Sequence, residues 1–146
     1  MSGTSRRFLV RIDGACSGNP GPAAAAVVIR AEDDGTVVHE QGYYLGRATN
    51  NIAEYYGLLI ALEELLVLRA DEAVVESDSE LLVRQMSGEY RVKAPGLRFV
   101  HERVKRLSST LRKFELRHIP RERNKEADGL ARKAIKRGAG GMPNDE

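Results

Sequence analysis

Short connections between the first three strand-like segments restrict the folds that this chain can adopt. Apolar runs at residues 8–13, 23–30 and 36–45 have the composition of β-strands, and they are separated by a Gly-Asn-Pro-Gly-Pro turn and a short polar loop. Parallel strands need a crossover of about a dozen or more residues, so connections this short predict an antiparallel meander.

Helical and strand-like segments alternate after the meander. Apolar residues recur with helical spacing over residues 51–68, and the alternation continues with strands at 73–76 and 114–118 and helices at 80–86, 97–111 and 125–136. This order predicts an α/β protein with a mixed five-stranded sheet and helices on both faces. At 146 residues the chain suits one domain, which we place at residues 1–137, followed by a disordered tail at 138–146.

The small net charge of +2 hides a division along the chain. Residues 1–83 hold six Arg and thirteen Asp or Glu, a net charge of −7, whereas residues 84–137 hold seventeen Lys or Arg and six acids, a net charge of +11. An acidic half joined to a basic half would suit a metal-dependent enzyme that acts on a polyanion. A helical region with solvated Lys and Arg would explain the charge equally well.

The sequence predicts neither a membrane-spanning segment nor an internal disulfide. Its apolar stretches are much shorter than the roughly 20 residues of a transmembrane helix, and the N-terminus MSGTSRR lacks the apolar core of a signal peptide. The single cysteine, Cys16, allows no internal disulfide and suits a reducing compartment. We therefore predict a cytoplasmic protein, and a monomer, with no membrane partner.

Four acidic residues lie in separate segments that the predicted fold could bring together. Each has its own local sequence, DGACSGNPGP, TNNIAEYYGL, ESDSELLV and NKEADGLA, in which the acids are Asp13, Glu54, Asp78 and Asp128. The first and third follow apolar strand-like runs that can lie side by side in the sheet, and the other two lie on predicted helices. Convergent carboxylates are the ligands of hard divalent cations.

Each of these acids also has an ordinary structural explanation. Asp13 precedes a glycine and could form a turn. Glu54 lies three residues after an asparagine, which fits a capping box, and Asp78 could cap the helix that follows it. Asp128 lies four residues before an arginine, the spacing of a surface ion pair on a helix.

Taken together and in this order, the four motifs resemble type 1 ribonuclease H over about residues 8–137. The resemblance implies that family's fold and hydrolysis of the RNA strand of RNA–DNA hybrids, leaving 5′-phosphate and 3′-hydroxyl ends. It also implies a site for two Mg²⁺ ions, with Mn²⁺ as a substitute. Asp13 would bridge the ions, Glu54 and Asp78 would bind one of them, and Asp128 would bind the other. Two metals about 3.5–4 Å apart can both generate a hydroxide nucleophile and stabilise the leaving oxygen.

Two other functions remain open from the residues alone. A different nuclease of the same fold, such as a resolvase, would also use clustered acids. A hybrid-binding module without turnover would share the substrate but would have no need of four carboxylates. Metal-dependent cleavage separates these possibilities.

The resemblance also implies a set of substrate contacts. Cys16, Asn19 and the two asparagines at 50 and 51 match residues that contact the minor groove, where 2′-hydroxyls distinguish RNA from DNA. Arg47 and Thr49 match a pocket for a DNA-strand phosphate. The full predicted set is Gly14, Cys16, Asn19, Arg47, Thr49, Asn50, Asn51, Glu80 and Asn124.

His118 lies ten residues before Asp128, where the family carries a histidine that assists proton transfer and product release. A histidine has the pKa range for that role. Pro120 follows closely and stiffens the segment, so His118 could instead end a strand with its ring packed on the sheet. His39 and His101 have no motif around them and are predicted to be surface residues.

The segment between the predicted helices at 80–86 and 97–111 is short and contains no tryptophan. This predicts a short form without the basic protrusion of longer members, and the few residues before the first strand leave no room for an added hybrid-binding domain. Phosphate contacts would then come from the core surface, and the predicted ones are Arg84, Arg91, Lys93 and Arg98.

Overall fold

The computed structural model describes residues 5–140. They form five strands and four helices with a short 3-10 turn at Arg121–Arg123. The strands are β1 (Arg7–Cys16), β2 (Gly21–Ala31), β3 (Val37–Ala48), β4 (Glu72–Ser77) and β5 (Lys113–His118). The helices are α1 (Asn50–Val67), α2 (Glu80–Met86), α3 (Pro95–Ser108) and α4 (Lys125–Gly140).

The sheet has the strand order β3-β2-β1-β4-β5. β1, β2 and β3 pair antiparallel, while β4 pairs parallel with β1 and β5 pairs parallel with β4. The predicted meander and the mixed five-stranded sheet are therefore confirmed. The two parallel strands place the carboxyl ends of β1 and β4 side by side, which is the arrangement that the acids at residues 13 and 78 require.

Helices cover both faces of the sheet, but they pack in different ways. α1 and α3 cover one face with large side chains, which include Tyr55 and Leu58 of α1 against Val10 and Ile12 of β1. α4 covers the other face with alanines. That second cluster consists of Ala24, Ala26, Ala127, Ala131 and Ala134.

Small residues let α4 approach the sheet closely. A side chain at Gly42 in β3 would collide with the backbone of Leu130, and one at Gly138 would collide with the ring of Tyr44. Because the two glycines have no side chains, the backbone of α4 lies directly against β2 and β3. The close approach holds the first turn of α4, with Asp128, at the acidic end of the sheet.

Several element boundaries differ from the predicted ones. β1 continues through Asp13 to Cys16, because β2 pairs with it that far, so this acid lies within a strand. α3 begins at Pro95, since proline suits the first helical position. α4 runs to Gly140 where the tail was expected from residue 138, and the rest of that predicted tail lies outside the described residues.

No helix in the described part of the chain is long and apolar enough to cross a membrane. The cytoplasmic location and the monomeric state stay predictions.

Candidate active site

Strand register brings the first pair of acids together. Ile12 of β1 is the partner of Ser77, the last residue of β4, and both strands run in the same direction. Asp13 directly follows Ile12, and Asp78 directly follows Ser77, so their side chains lie at neighbouring positions at the ends of the paired segments. This is the predicted pairing at one edge of the core.

A glycine beside Asp13 lets α1 deliver the third acid. A side chain at Gly14 would collide with the backbone of Ala53 and Glu54, which lies directly over it. Because glycine leaves that space empty, the first turns of α1 lie on β1 and the Glu54 carboxylate reaches the strand end.

The carboxylates form a compact cluster in a cleft. Oxygens of Asp13, Glu54 and Asp78 all lie within 4.8 Å of one another, and the first two side chains are buried. Asp128 approaches from α4 on the opposite side, close enough for a hydrogen bond with Asp13. All four acids line a cleft of about 880 Å³. The structure thus brings together the four acids that the sequence singled out.

Burial and crowding make it costly to charge this cluster. Burial raises the pKa of Asp13 to about 8, with further contributions from the charges of Asp78 and Asp128, while the backbone N–H of Gly14 opposes the increase. Burial likewise raises the pKa of Glu54 well above its usual value, assisted by the charges of Asp13 and Asp78. The cluster therefore lacks a positive partner strong enough to offset desolvation.

The donor set fits a hard divalent cation. Glu54 Oε1 is buried and has no hydrogen-bond partner among the described residues. A buried carboxylate oxygen without a partner is unfavourable, and a cation would satisfy it. An all-oxygen set of crowded carboxylates suits Mg²⁺ or Mn²⁺ better than softer metals.

Three of the four structural alternatives for these acids are wrong. Asp13 pairs with a residue of β2 inside the sheet and forms no turn. The cap of α1 is Thr49, whose hydroxyl accepts from Ile52 N, and the cap of α2 is Ser79, so neither Glu54 nor Asp78 is used as a cap. The fourth alternative is present, because Asp128 Oδ2 accepts from Arg132 Nε at 3.0 Å.

Asn124 requires a correction, because it was predicted as a substrate contact and is fully buried. Its Nδ2 group donates to the carbonyl of Ile12 at 2.8 Å and to Asp78 Oδ2 at 3.2 Å. Both partners are acceptors, which fixes the amide orientation. Asn124 therefore acts on the site by holding the Asp78 carboxylate against the end of β1.

Predicted minor-groove contacts gather at the start of α1. Asn50 is exposed and lines the cleft, and its backbone N–H donates to Asn19 Oδ1 at 3.0 Å. Cys16 also lines the cleft, with its thiol directed at backbone carbonyls that include that of Ala48, at 3.1 Å. Arg47 is exposed two residues before the capping Thr49.

Two further predicted contacts have protein partners. Asn51 is half-buried, and its Nδ2 lies 3.5 Å from Oε1 of the buried Gln85, which also accepts from the hydroxyl of Tyr55. Glu80 pairs with Arg84, which was predicted to contact phosphate and which also pairs with Glu89. Arg84 is therefore already neutralised by two acids.

The histidines differ in part from the predictions. His118 ends β5 opposite Ser77 and is exposed, so the packed alternative is wrong and the ring is accessible beside the residue that precedes Asp78. His39 and His101 are not simple surface residues. The first contacts the hydroxyl of Tyr43, and the second is half-buried with its ring edge against Tyr55.

The sequence reasoning missed the basic residues that line the cleft. Arg121 precedes α4, and the others lie on that helix after Asp128: they are Arg132, Lys133 and Lys136. Arg132 and Lys136 lie four and eight residues after Asp128 on a predicted helix, and this spacing was a usable signal, because residues at i, i+4 and i+8 share a face.

The sheet order and the acidic cluster at the strand ends define a ribonuclease H-like domain, and comparisons with known proteins agree. A family model described as reverse transcriptase-like matches residues 11–134. The N-terminal RNase H domain of Rv2228c from Mycobacterium tuberculosis is 42% identical with a TM-score of 0.85, covering 88% of this chain and 98% of that one. RNase H1 from Halobacterium salinarum is 38% identical with a TM-score of 0.85, covering 89% and 98%.

A third similar structure contains nucleic acid. LC11-RNase H1, isolated from compost, was solved in complex with an RNA/DNA hybrid and is 39% identical with a TM-score of 0.82, covering 90% of this chain and 99% of that one. The chain belongs to the type 1 ribonuclease H family. It spans about a third of the bifunctional protein Rv2228c, with 42% identity over 129 residues and 35% of that protein covered.

Proposed function

We propose that this protein is an endoribonuclease that hydrolyses the RNA strand of RNA–DNA hybrids and leaves 5′-phosphate and 3′-hydroxyl ends. The observation that carries the proposal is the cluster of Asp13, Glu54 and Asp78 oxygens within 4.8 Å in an open cleft with a basic wall. The hybrid bound to LC11-RNase H1 supports the choice of substrate.

The carboxylates would hold two divalent ions, Mg²⁺ or Mn²⁺. Asp13 lies between the other acids and would bind both ions, with Glu54 and Asp78 on one and Asp128 on the other. When bound, the ions supply a nucleophilic hydroxide and neutralise charge on the leaving oxygen. The chain itself contributes the rigid strand ends and the Asn124 amide that keep these oxygens converged.

The substrate would lie across the start of α1. Asn50, Asn19 and Cys16 would meet the minor groove, where polar groups can contact 2′-hydroxyls and base edges. Arg47 and Thr49 would hold a DNA-strand phosphate beside them, and the asparagine at 51 would be positioned by Gln85. Contacts of this kind select a hybrid without reading its sequence.

His118 would act as a proton shuttle next to the cluster. Its ring is exposed at the end of β5, and the following residue is anchored by a hydrogen bond from Ile119 N to the carbonyl of Ser77 at 2.9 Å. The anchor keeps the histidine near Asp78, while exposure lets it exchange protons with water.

The deciding experiment incubates the protein with end-labelled RNA–DNA hybrid, RNA duplex and DNA duplex, with Mg²⁺, with Mn²⁺ or with chelator. We expect internal cleavage of the hybrid's RNA strand with either metal and none with chelator. Cleavage of the DNA duplex would indicate another nuclease of the same fold, and tight hybrid binding without cleavage would indicate a binding module.

A further inference from the structure

The cleft is lined by side chains of both charges. Four carboxylates line it, and so do three basic side chains that follow Asp128 on α4 and form its basic wall, namely Arg132, Lys133 and Lys136. Arg132 is tied to Asp128, but Lys133 and Lys136 are exposed and have no acid within 4.0 Å among the side chains that the structure describes. Two uncompensated positive charges therefore face the cleft next to a cluster of negative ones.

The arrangement of α4 fixes how far this basic wall extends. Asp128, Arg132 and Lys136 are spaced four residues apart and lie along one face of the helix. Eight residues of α-helix span about 12 Å. One strand of a duplex advances about 3.4 Å per nucleotide along the axis, so the wall reaches roughly three to four nucleotides from the acidic cluster.

The other basic groups are less suited to this role. Arg84 is paired with Glu80 and Glu89, and the cleft lining contains neither it nor the three other predicted phosphate contacts at residues 91, 93 and 98. Elsewhere on α4, Glu126 pairs with Arg30 of β2. Lys133 and Lys136 are thus the basic side chains of α4 that line the cleft without an acidic partner among the described side chains.

We propose that Lys133 and Lys136 hold backbone phosphates of the strand being cut, roughly two to four nucleotides to one side of the scissile phosphate. This inference rests on the proposed function, because the acidic cluster must mark the scissile position. The two ammonium groups would bind without regard to base sequence, and they would set the length of hybrid required on that side of the cut. The competing explanation is that both lysines are merely solvated.

The test compares two double variants that remove the same charge from the same helix. Lys133→Gln/Lys136→Gln removes the proposed contacts, while Lys125→Gln/Arg137→Gln removes two charges of α4 that do not line this cleft. Binding of a fluorescent hybrid is measured by anisotropy with chelator over 50–200 mM salt, with Asp13→Asn in every protein so that no cleavage occurs. Melting temperatures of all variants are recorded, and each lysine is also changed singly.

We expect Lys133→Gln/Lys136→Gln to weaken hybrid binding about tenfold and to lower the slope of log affinity against log salt by roughly 1.5 to 2, relative to the control. Hybrids are then shortened stepwise on either side of the cleavage position. The protein that retains both lysines should lose affinity when the hybrid is shortened on the side that the lysines contact. The double variant should be insensitive to shortening on that side.

Equal salt slopes and equal length dependence in the two double variants would overturn the inference while leaving the proposed function intact. A wild-type chain that neither binds nor cuts hybrid would instead contradict the proposed function, and the phosphate contacts with it.

Discussion

At the scale of single residues, Asp13 is an acid whose ionised form is unfavourable in the folded protein but would be needed to bind a cation. It is inside a paired strand, only 4% exposed, and faces three other acids. Its pKa of about 8 means that the folded, metal-free protein favours the protonated form. A bound cation would replace that proton and offset the repulsion among the carboxylates.

Asp13→Asn should abolish hydrolysis and leave the fold intact. The folded pKa of this acid is raised to about 8, so between about pH 4 and pH 8 Asp13 ionises in the unfolded chain but stays protonated in the folded one, and the stability of the metal-free protein falls as the pH rises. We therefore expect the variant to melt at a higher temperature than wild type at pH 8 and at a similar temperature near pH 4. Calorimetry at both values checks this, with the exposed loop variant Asp33→Asn as the control. Activity above a few per cent of wild type would contradict the metal assignment.

Asn124→Ala should reduce both stability and metal affinity. It removes donors to a backbone carbonyl and to Asp78, and a buried hydrogen bond to a charged group is worth about 1.5–3 kcal/mol. The positioning role predicts a higher Mg²⁺ concentration for half-maximal activity. Gln85→Ala removes another buried amide, one that bridges Tyr55 and a loop carbonyl, and should lower stability without changing the Mg²⁺ requirement. If Asn124→Ala and Gln85→Ala gave identical Mg²⁺ titrations, Asn124 would have only a structural role.

His118→Ala should slow turnover by roughly ten- to a hundredfold with little change in hybrid affinity. General acid or base groups contribute typically 10²–10⁴-fold, and the effect is smaller where a metal already lowers the pKa of the attacking water. Because the side chain is exposed, the melting temperature should not change. Single-turnover rates measured against His39→Ala, which is distant from the cleft, test the assignment, and an unchanged rate would exclude a catalytic role.

At the scale of elements, the contact between β1 and α1 controls the site. Glu54 reaches the cluster only because α1 lies directly on Gly14, and the strand and the helix are connected through β2 and β3 in the sequence. On the opposite face, an alanine interface plays the same part for α4 and Asp128. Small residues thus set the distances between elements that carry the acids.

Gly14→Ala should damage both stability and activity. The added methyl group would meet backbone atoms of Ala53 and Glu54, which cannot rotate away, so α1 must shift. Overpacking of this kind costs about 1–3 kcal/mol, and displacement of Glu54 should lower metal affinity as well. Gly96→Ala is the matched control, because its added methyl group meets open space in the first turn of α3. Urea unfolding and Mg²⁺ titration of both variants provide the comparison. Equal free energies of unfolding and equal Mg²⁺ requirements would show that the contact between Gly14 and α1 does not control the site.

At the scale of the whole molecule, the fold concentrates acidic side chains at one end of the sheet, where a bound cation would stabilise their charged forms. Asp13, whose pKa is about 8, must lose its proton before it can bind a cation, so metal binding and pH are linked. The acidic first half and the basic second half of the sequence meet in the same cleft.

Mg²⁺ should therefore raise the melting temperature more at pH 8.5 than at pH 6. At pH 8.5 the free-energy cost of deprotonating Asp13 is smaller than at pH 6. The cation therefore binds more tightly and stabilises the folded state more. Thermal unfolding with a series of Mg²⁺ concentrations at both pH values measures the difference, and Asp13→Asn should abolish most of it. An equal shift at both pH values would contradict this linkage.

The sequence by itself determined the elements and the four acids. Strand and helix patterns depend on periodicities of two and 3.6 residues within short segments, and the short connections left only a meander for β1, β2 and β3. The acids were recognisable through local motifs that each occupy a few residues. Periodicity did not fix the end of α4, because the helix continues through Gly138, which packs against Tyr44, where the tail was expected to begin.

Only the tertiary structure decided which side chains meet. Local sequence could not distinguish Asp78 as a cap from Asp78 as a member of the acidic cluster, and the distinction came from the β1–β4 register that puts it beside Asp13. It also could not show that Asn124 is buried or that Lys136 faces the cleft. These facts depend on distances between segments far apart in the chain, which register and close packing determine and which no local pattern contains.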